Sequence, residues 1–186
     1  MMRMLRAFRS VLISDLSMVL EYLTFRSPEL WLFGVCRRFL VKHRFNNFGG
    51  IPKIESPVRI YAPERLKVSG FAIIAKDVLI DAEGGVTIGH NTGIASGTKI
   101  RTQAHVFSCP DVPWLHQGHR IKPVVIGNDV WVANNCFILP GTVIGDHCVI
   151  SSCSVVSGLI PPYSIMAGNP ARRIGSRQTN REGENN

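Results

Sequence analysis

An aliphatic residue recurs at every sixth position in the C-terminal half of this 186-residue chain. The series is Ile126, Val132, Ile138, Ile144, Ile150 and Val156. It keeps one phase for six units, so a structural repeat explains it better than chance. A period of six fits neither the 3.6-residue turn of a helix nor the two-residue alternation of a strand. It predicts a short strand followed by a turn, repeated, with each aliphatic side chain pointing inward.

Units of the same kind precede this series, and they extend the repeat toward the N-terminus. They begin at Ile88, Ile94 and Ile100, with weaker units at Val68, Ile74 and Ile80. Four places after each aliphatic residue stands a small or medium one: Thr92, Thr98, Ala104, Val130, Cys136, Thr142, Cys148 and Ser154. Small side chains suit tight corners, and stacked coils pair their backbones with the coils above and below. Three units per coil predict an all-β, parallel β-helix shaped as a triangular prism.

The cysteines and the hydropathy pattern narrow the class of protein. The five cysteines are odd in number and form no CxxC pair, which favours reduced, cytoplasmic thiols over disulfides. Cys136 and Cys148 occupy corner positions, so we interpret them as small buried hydrophobes. No apolar run approaches the roughly 20 residues that cross a bilayer, so no transmembrane span is predicted.

The repeat fails between residues 106 and 124, where prolines and glycine are frequent. A solenoid accommodates such an insert as an outward loop, and loops on rigid scaffolds often carry function. His105 stands just before the loop, in the outward-facing place of its unit. It is either a solvated surface histidine or a general base, because a neutral imidazole can accept a proton from a hydroxyl.

Five segments of the chain resemble the hexapeptide acyltransferases, in particular the sugar O-acetyltransferases of the maltose/galactoside and colanic-acid types. They are residues 78–89, 102–105, 123–132, 160–162 and 167–172, which lie in a stretch covering a little over half the chain. The resemblance implies a left-handed coil, acetyl-CoA as co-substrate, and a homotrimer with active sites between subunits. His105 stands where the family has its catalytic base.

The resemblance also implies the other site residues. Those expected along the CoA arm and its phosphates are Trp131, Ala133, Asn134, Gly141, Arg172 and Arg173. Trp131 has an alternative interpretation as a packed surface aromatic, and the two arginines as a plain exposed pair. Asp81, Trp114 and His116 are candidates for contact with the acceptor, and Asp81, Glu83 and Asp111 for orienting His105. Ala75 and Lys76 stand near the place of an asparagine that holds the acceptor in the maltose type, so acceptor identity is not carried over.

The function expected from the resemblance is transfer of an acetyl group from acetyl-CoA to a sugar hydroxyl in bacterial surface polysaccharide biosynthesis (exopolysaccharide, capsule or O-antigen). A non-catalytic hexapeptide scaffold is the main alternative. A γ-carbonic anhydrase shares the prism, but its zinc needs two histidines five residues apart, and His90 is followed at that distance by Ala95. We therefore expect no bound metal. We also expect no nucleic-acid partner.

The N-terminal 50 residues differ from the repeat region in their charge and in the spacing of their apolar residues. Residues 1–50 carry eight Lys/Arg and three Asp/Glu, a surplus of +5 out of the total of +8. Apolar residues at helical spacing predict an amphipathic helix over 3–25 and a second helix from 28 to 44. These helices either cover the open first coil or lie on an anionic membrane through residues 1–45, close to lipid-linked sugars. The predicted boundaries are a helical segment at 1–50, the β-helix at 51–174 and a polar, disordered tail at 175–186.

Overall fold

The structure is a computed structural model that describes residues 52–55 and 57–177. The helices predicted for residues 1–50 lie outside this part of the chain. The strands of the described residues are β1 (Lys53–Ile54), β2 (Arg59–Tyr61), β3 (Leu66–Val68), β4 (Ala72–Ile74), β5 (Leu79–Asp81), β6 (Val86–Ile88), β7 (Thr92–Ile94), β8 (Lys99–Arg101), β9 (Gln103–His105), β10 (His119–Ile121), β11 (Val124–Ile126), β12 (Trp131–Val132), β13 (Phe137–Ile138), β14 (Val143–Ile144), β15 (Val149–Ile150), β16 (Val155–Val156), β17 (Leu159–Ile160), β18 (Ser164–Gly168) and β19 (Ala171–Ser176). Two 3-10 helices span Pro63–Arg65 and Trp114–His116.

Most strands belong to three sheets, which we call faces A, B and C. Face A stacks β3, β6, β11, β14 and β17, and face C stacks β2, β5, β8, β13 and β16. Face B stacks β1, β4, β7, β12, β15 and β18, with β19 added antiparallel at its end. Neighbouring strands within each stack are otherwise parallel, and the chain visits A, B and C in turn. The predicted all-β parallel solenoid is therefore confirmed.

The core is a set of stacked aliphatic side chains, one from each strand. Every aliphatic residue of the predicted repeat from Val68 to Val156 is at most 1% exposed. Within face A, Ile88 stands in register with Ile126, and Ile126 with Ile144. Burying one such side chain stabilises a fold by about 1.5–3 kcal/mol, so these ladders dominate the packing.

The inner corners hold small polar residues whose hydrogen bonds connect successive coils. Thr98 is fully buried; its Oγ1 donates to the Ala133 carbonyl (2.9 Å) and accepts from the Cys136 amide (3.2 Å). The Sγ of Cys136 and that of Cys148 donate to the carbonyls of Ser151 and Pro161. Burial raises the pKa of both thiols. The interpretation of these cysteines as small buried residues is confirmed.

The C-terminal strand differs from its predicted boundary. Gly175 pairs with Ile165 and Ser176 with Ser164, so β19 continues two residues into the segment expected to be a polar tail. Antiparallel pairing with β18 satisfies backbone groups that a disordered tail would leave to water.

No helix within residues 52–55 and 57–177 has the length and apolar character needed to cross a membrane.

Candidate active site

The insert leaves the prism at the edge between faces C and A and forms an antiparallel hairpin of β9 and β10. Thr102 anchors its base: its Oγ1 donates to the Asp81 carbonyl and accepts from the Gly84 amide, both at 2.8 Å. The Lys122 amide donates to the Thr102 carbonyl at 2.8 Å, so the two ends of the insert meet.

The corner expected at Ala104 is not formed. Ala104 lies in β9 and pairs with Arg120, because the chain has already left the coil after Thr102. The exposure of His105 therefore has a cause other than its place in a repeat unit. His105 is exposed because β9 pairs only with β10 and stands off the solenoid.

Asp81 is a buried carboxylate at the foot of the hairpin, 2% exposed. Its Oδ2 accepts a hydrogen bond from Gln103 Nε2 at 3.0 Å and lies 3.5 Å from Arg101 Nε. Its Oδ1 accepts from the Glu83 amide at 3.3 Å. Because Gln103 lies in β9, its hydrogen bond makes Asp81 a support for that strand, and the burial of Asp81 among residues 57–177 leaves its carboxylate little surface for the acceptor contact expected from the sequence.

The His105 imidazole contacts two aromatic rings of the insert. His119 stands directly opposite it in the hairpin, with the ring centroids 4.2 Å apart. Trp114, in the 3-10 helix at the tip, packs at 4.8 Å with its ring nearly perpendicular to that of His105. The sequence alone places His119 in the insert, where it could touch substrate or be a flexible exposed histidine. A hairpin interpretation of 103–121, with Gly118 in the left-handed region (φ 77°) before the second strand, would have placed it opposite His105.

None of the three carboxylates proposed to orient His105 forms a hydrogen bond with its ring in the described part of the chain. Asp81 bonds to Gln103, and Glu83 forms an ion pair with Arg65 at 3.1 Å. Asp111 is exposed in the loop. The ring packing against Trp114 and His119 is what holds the imidazole in this structure.

The residues expected along the CoA arm are spread over several elements. Trp131 is 57% exposed on face B, where its Cδ1 would lie 4.0 Å from a Cβ placed on Gly93. Ala133 is buried and Asn134 is exposed at the edge between faces B and C. Gly141 lies at the C–A edge with φ of +81°, and a Cβ there would approach Lys122 Cδ to 2.9 Å.

The two arginines lie on the antiparallel strand that ends face B. Both are exposed, and each guanidinium donates to a nearby backbone carbonyl: Arg172 to Ala171 at 3.1 Å and Arg173 to Gly175 at 3.2 Å. Trp131 thus shares face B with Arg172 and Arg173. His105 stands at the C–A edge, which is the edge opposite face B in a triangular prism.

Residues 52–55 and 57–177 contain no group of three or more histidine, cysteine, aspartate or glutamate side chains that could hold a metal ion. His90, the residue that fits the start of a zinc pair, accepts a hydrogen bond from the Phe71 amide at its Nδ1 (3.2 Å).

Comparison with known proteins identifies relatives that share the hexapeptide repeat. A family model described as bacterial transferase hexapeptide (six repeats) matches residues 123–158. The putative colanic acid biosynthesis acetyltransferase WcaF of Escherichia coli K12 is 30% identical over 141 residues, covering 76% of this chain and 75% of WcaF. The chain belongs to the hexapeptide-repeat acetyltransferases.

Two further relatives extend the comparison. The putative lipopolysaccharide biosynthesis O-acetyl transferase WbbJ of E. coli K12 is 40% identical over 96 residues, which cover 48% of this chain and 49% of WbbJ. The chain thus spans about half the length of that relative. A solved galactoside acetyltransferase in complex with coenzyme A superposes with a TM-score of 0.74 at 28% identity, covering 86% of this chain and 78% of that one.

This hexapeptide-repeat acetyltransferase also carries a charged cluster at the edge between faces A and B. Asp129 Oδ2 lies 2.9 Å from His147 Nδ1 and 3.1 Å from Arg177 Nη1, and the His147 ring stacks on Tyr163. The hydrogen bond from His147 is the largest cause of the shift and lowers the pKa of Asp129 below its ordinary value of 3.8. Burial opposes it as the next largest cause, and the charge of Arg177 adds to the lowering of this pKa. The cluster ties the end of β19 to an earlier coil.

Replacing Asp129 with asparagine is expected to reduce the free energy of unfolding in a pH-dependent way. A folded-state pKa below the unfolded value means that the ionised carboxylate stabilises the fold above about pH 3.8, and that this contribution disappears as the pH falls through the folded pKa. Both partners are about 40% exposed, so the difference should stay below about 1 kcal/mol. Urea titrations of the native and Asp129→Asn proteins between pH 3 and 6 measure it. Asp111→Asn, at an exposed loop carboxylate, is the control, and a difference that grows toward low pH would contradict the prediction.

Proposed function

We propose that this protein is an acetyl-CoA-dependent O-acetyltransferase that acts on a sugar hydroxyl in bacterial surface polysaccharide biosynthesis. The observation that carries the proposal is the position of His105, an exposed imidazole held by aromatic rings on a rigid edge of the family's prism. The names of WcaF and WbbJ support a polysaccharide or lipopolysaccharide acceptor, and the coenzyme A complex of galactoside acetyltransferase supports the donor.

In the proposed mechanism His105 is the general base. One imidazole nitrogen accepts the proton of the acceptor hydroxyl while that oxygen attacks the thioester carbonyl. The C–S bond then breaks, and His105 returns the proton to the departing sulfur, so the enzyme ends the cycle unchanged. A positioned general base contributes about 10²–10⁴-fold to such a reaction. Trp114 and His116 would contact the acceptor, and their exposure in the insert supports this role.

We further propose that the active site needs two copies of the chain within a homotrimer. Trp131 lies on face B and His105 at the opposite edge, so one prism keeps them apart. Trp131, Ala133, Asn134, Arg172 and Arg173 of one copy would line the path of the CoA arm against the His105 of another. Gly141, at the same C–A edge as His105, would line that path from the copy that carries His105. An apolar stripe supports association: the outward residues Val125, Val143 and Leu159 stand in register on face A, each at least 37% exposed.

Replacing His105 with alanine is expected to lower kcat for thiol release by about 10²–10⁴-fold, because the general base is lost. The measurement is release of free CoA thiol with acetyl-CoA and a panel of nucleotide sugars and oligosaccharide repeats. Ser108→Ala, at an exposed position of the same insert that has no proposed role, is the matched control. Undiminished turnover by the His105→Ala protein would remove the mechanism, and thiol release with no acceptor of the panel would favour a scaffold.

Mixing two inactive variants tests the two-copy site. His105→Ala and Trp131→Ala are each expected to lose most activity alone. In trimers formed from an equal mixture, each interface has about one chance in four of combining an intact His105 with an intact Trp131. Co-refolded mixtures should therefore regain up to about a quarter of the native rate. A mixture no more active than its components would show that both residues act in one chain or that Trp131 is not part of the site.

A membrane contact through residues 1–45 is the last part of the proposal, and it rests on the basic surplus of residues 1–50. Basic amphipathic helices bind anionic lipid surfaces, and such a contact would bring the site to lipid-linked acceptors at the inner face of the cell membrane. The free thiols of Cys109 and Cys153, both exposed, fit a reducing cytoplasm.

The intact protein should co-sediment with anionic liposomes more than a protein lacking residues 1–45. Equal binding of the two would refute the membrane contact and favour helices that cover the end of the prism.

A further inference from the structure

One side chain, that of Gln117, adds three hydrogen bonds to the backbone hydrogen bonds at the tip of the insert, such as that from the Val112 amide to the Cys109 carbonyl. Gln117 Nε2 donates to the carbonyls of Cys109 (2.8 Å) and Val112 (2.6 Å), and its Oε1 accepts from the Cys109 amide (3.0 Å). From residue 107 to 120 the side chains are exposed, except that of Gln117, which is half-buried. These hydrogen bonds substitute for the strand pairing that the tip lacks.

The segment that this amide closes carries the Trp114 ring. Trp114 begins the 3-10 helix, and the backbone N–H of Gln117 donates to its carbonyl at 3.2 Å. Its ring packs at 4.8 Å against the His105 imidazole, whose other ring contact is His119 at 4.2 Å. A continuous series of contacts therefore runs from the Gln117 amide through the 3-10 helix to the imidazole.

We propose that Gln117 is a positioning residue that acts on His105 through Trp114, with His119 as the second contact of the ring. The proposal rests on the proposed role of His105 as general base. Within residues 57–177 the imidazole has no hydrogen-bond partner, so its rotamer depends on these two rings. An imidazole displaced by about 1 Å can cost on the order of 10²-fold in rate, because proton transfer needs a short, aligned contact.

Two substitutions of Gln117 and one control test the proposal. Gln117→Ala removes all three side-chain hydrogen bonds, and Gln117→Glu keeps the size but brings a carboxylate against two carbonyl oxygens. Both are expected to lower kcat by about 10- to 100-fold, with the KM for acetyl-CoA and the thermal unfolding midpoint unchanged. Ser108→Ala, at an exposed position of the same loop, should match the native enzyme.

A readout that does not need activity is the nuclear magnetic resonance of the His105 ring protons, assigned by their loss in His105→Gln. Ring currents of Trp114 and His119 displace these signals in the native protein. Trp114→Leu should move them, Trp114→Phe should keep part of the displacement, and Gln117→Ala should move them in the direction of Trp114→Leu.

The outcomes separate this proposal from the proposed function. If His105→Ala abolishes turnover while Gln117→Ala leaves kcat or the His105 signals unchanged, the positioning role is overturned and the general-base role stands. If His105→Ala retains full turnover, the general-base role of His105 fails, and the signals alone decide whether Gln117 orients the ring. A fall in kcat together with displaced signals supports the proposal.

Discussion

Backbone pairing between successive coils is the constraint on which this structure depends. A strand of two or three residues cannot stand alone, and those of faces A, B and C are stabilised by pairing with neighbouring coils stacked at about 4.8 Å. The pairing requires that every coil place its residues over those of the last, so an aliphatic residue must meet an aliphatic residue at each level. Ile88, Ile126 and Ile144 do so on face A. The six-residue period of the sequence is a consequence of that requirement.

The sequence predicted the features that follow from this constraint. The inward aliphatic residues, the small corner residues and the burial of Cys136 and Cys148 all come from position within the period, and the structure places them as expected. The hand of the coil and the role of His105 came instead from resemblance to a family. Periodicity carries no information about either.

The sequence did not predict the features that follow from antiparallel pairing or from contacts between distant side chains. Ala104 fits the repeat by type, yet it belongs to the hairpin, because hydrogen bonds to β10 compete with continuation of the coil. His119 could be placed only once the register of the hairpin was known. The partners of Asp81 are Arg101 and Gln103, about twenty residues away, and no local pattern indicates that its carboxylate would be buried with them.

The junction of insert and prism has a consequence for how such chains can diversify. The Lys122 amide bonds to the Thr102 carbonyl, and β11 takes up the register of β6 with Val124 opposite Val86. The coil is therefore continuous across the insert, as if the intervening residues were absent. Loops of other lengths and compositions could replace this one without disturbing the coils on either side. The prism then acts as a constant frame, and the chemistry of the acceptor can change by exchange of one short, separately supported segment.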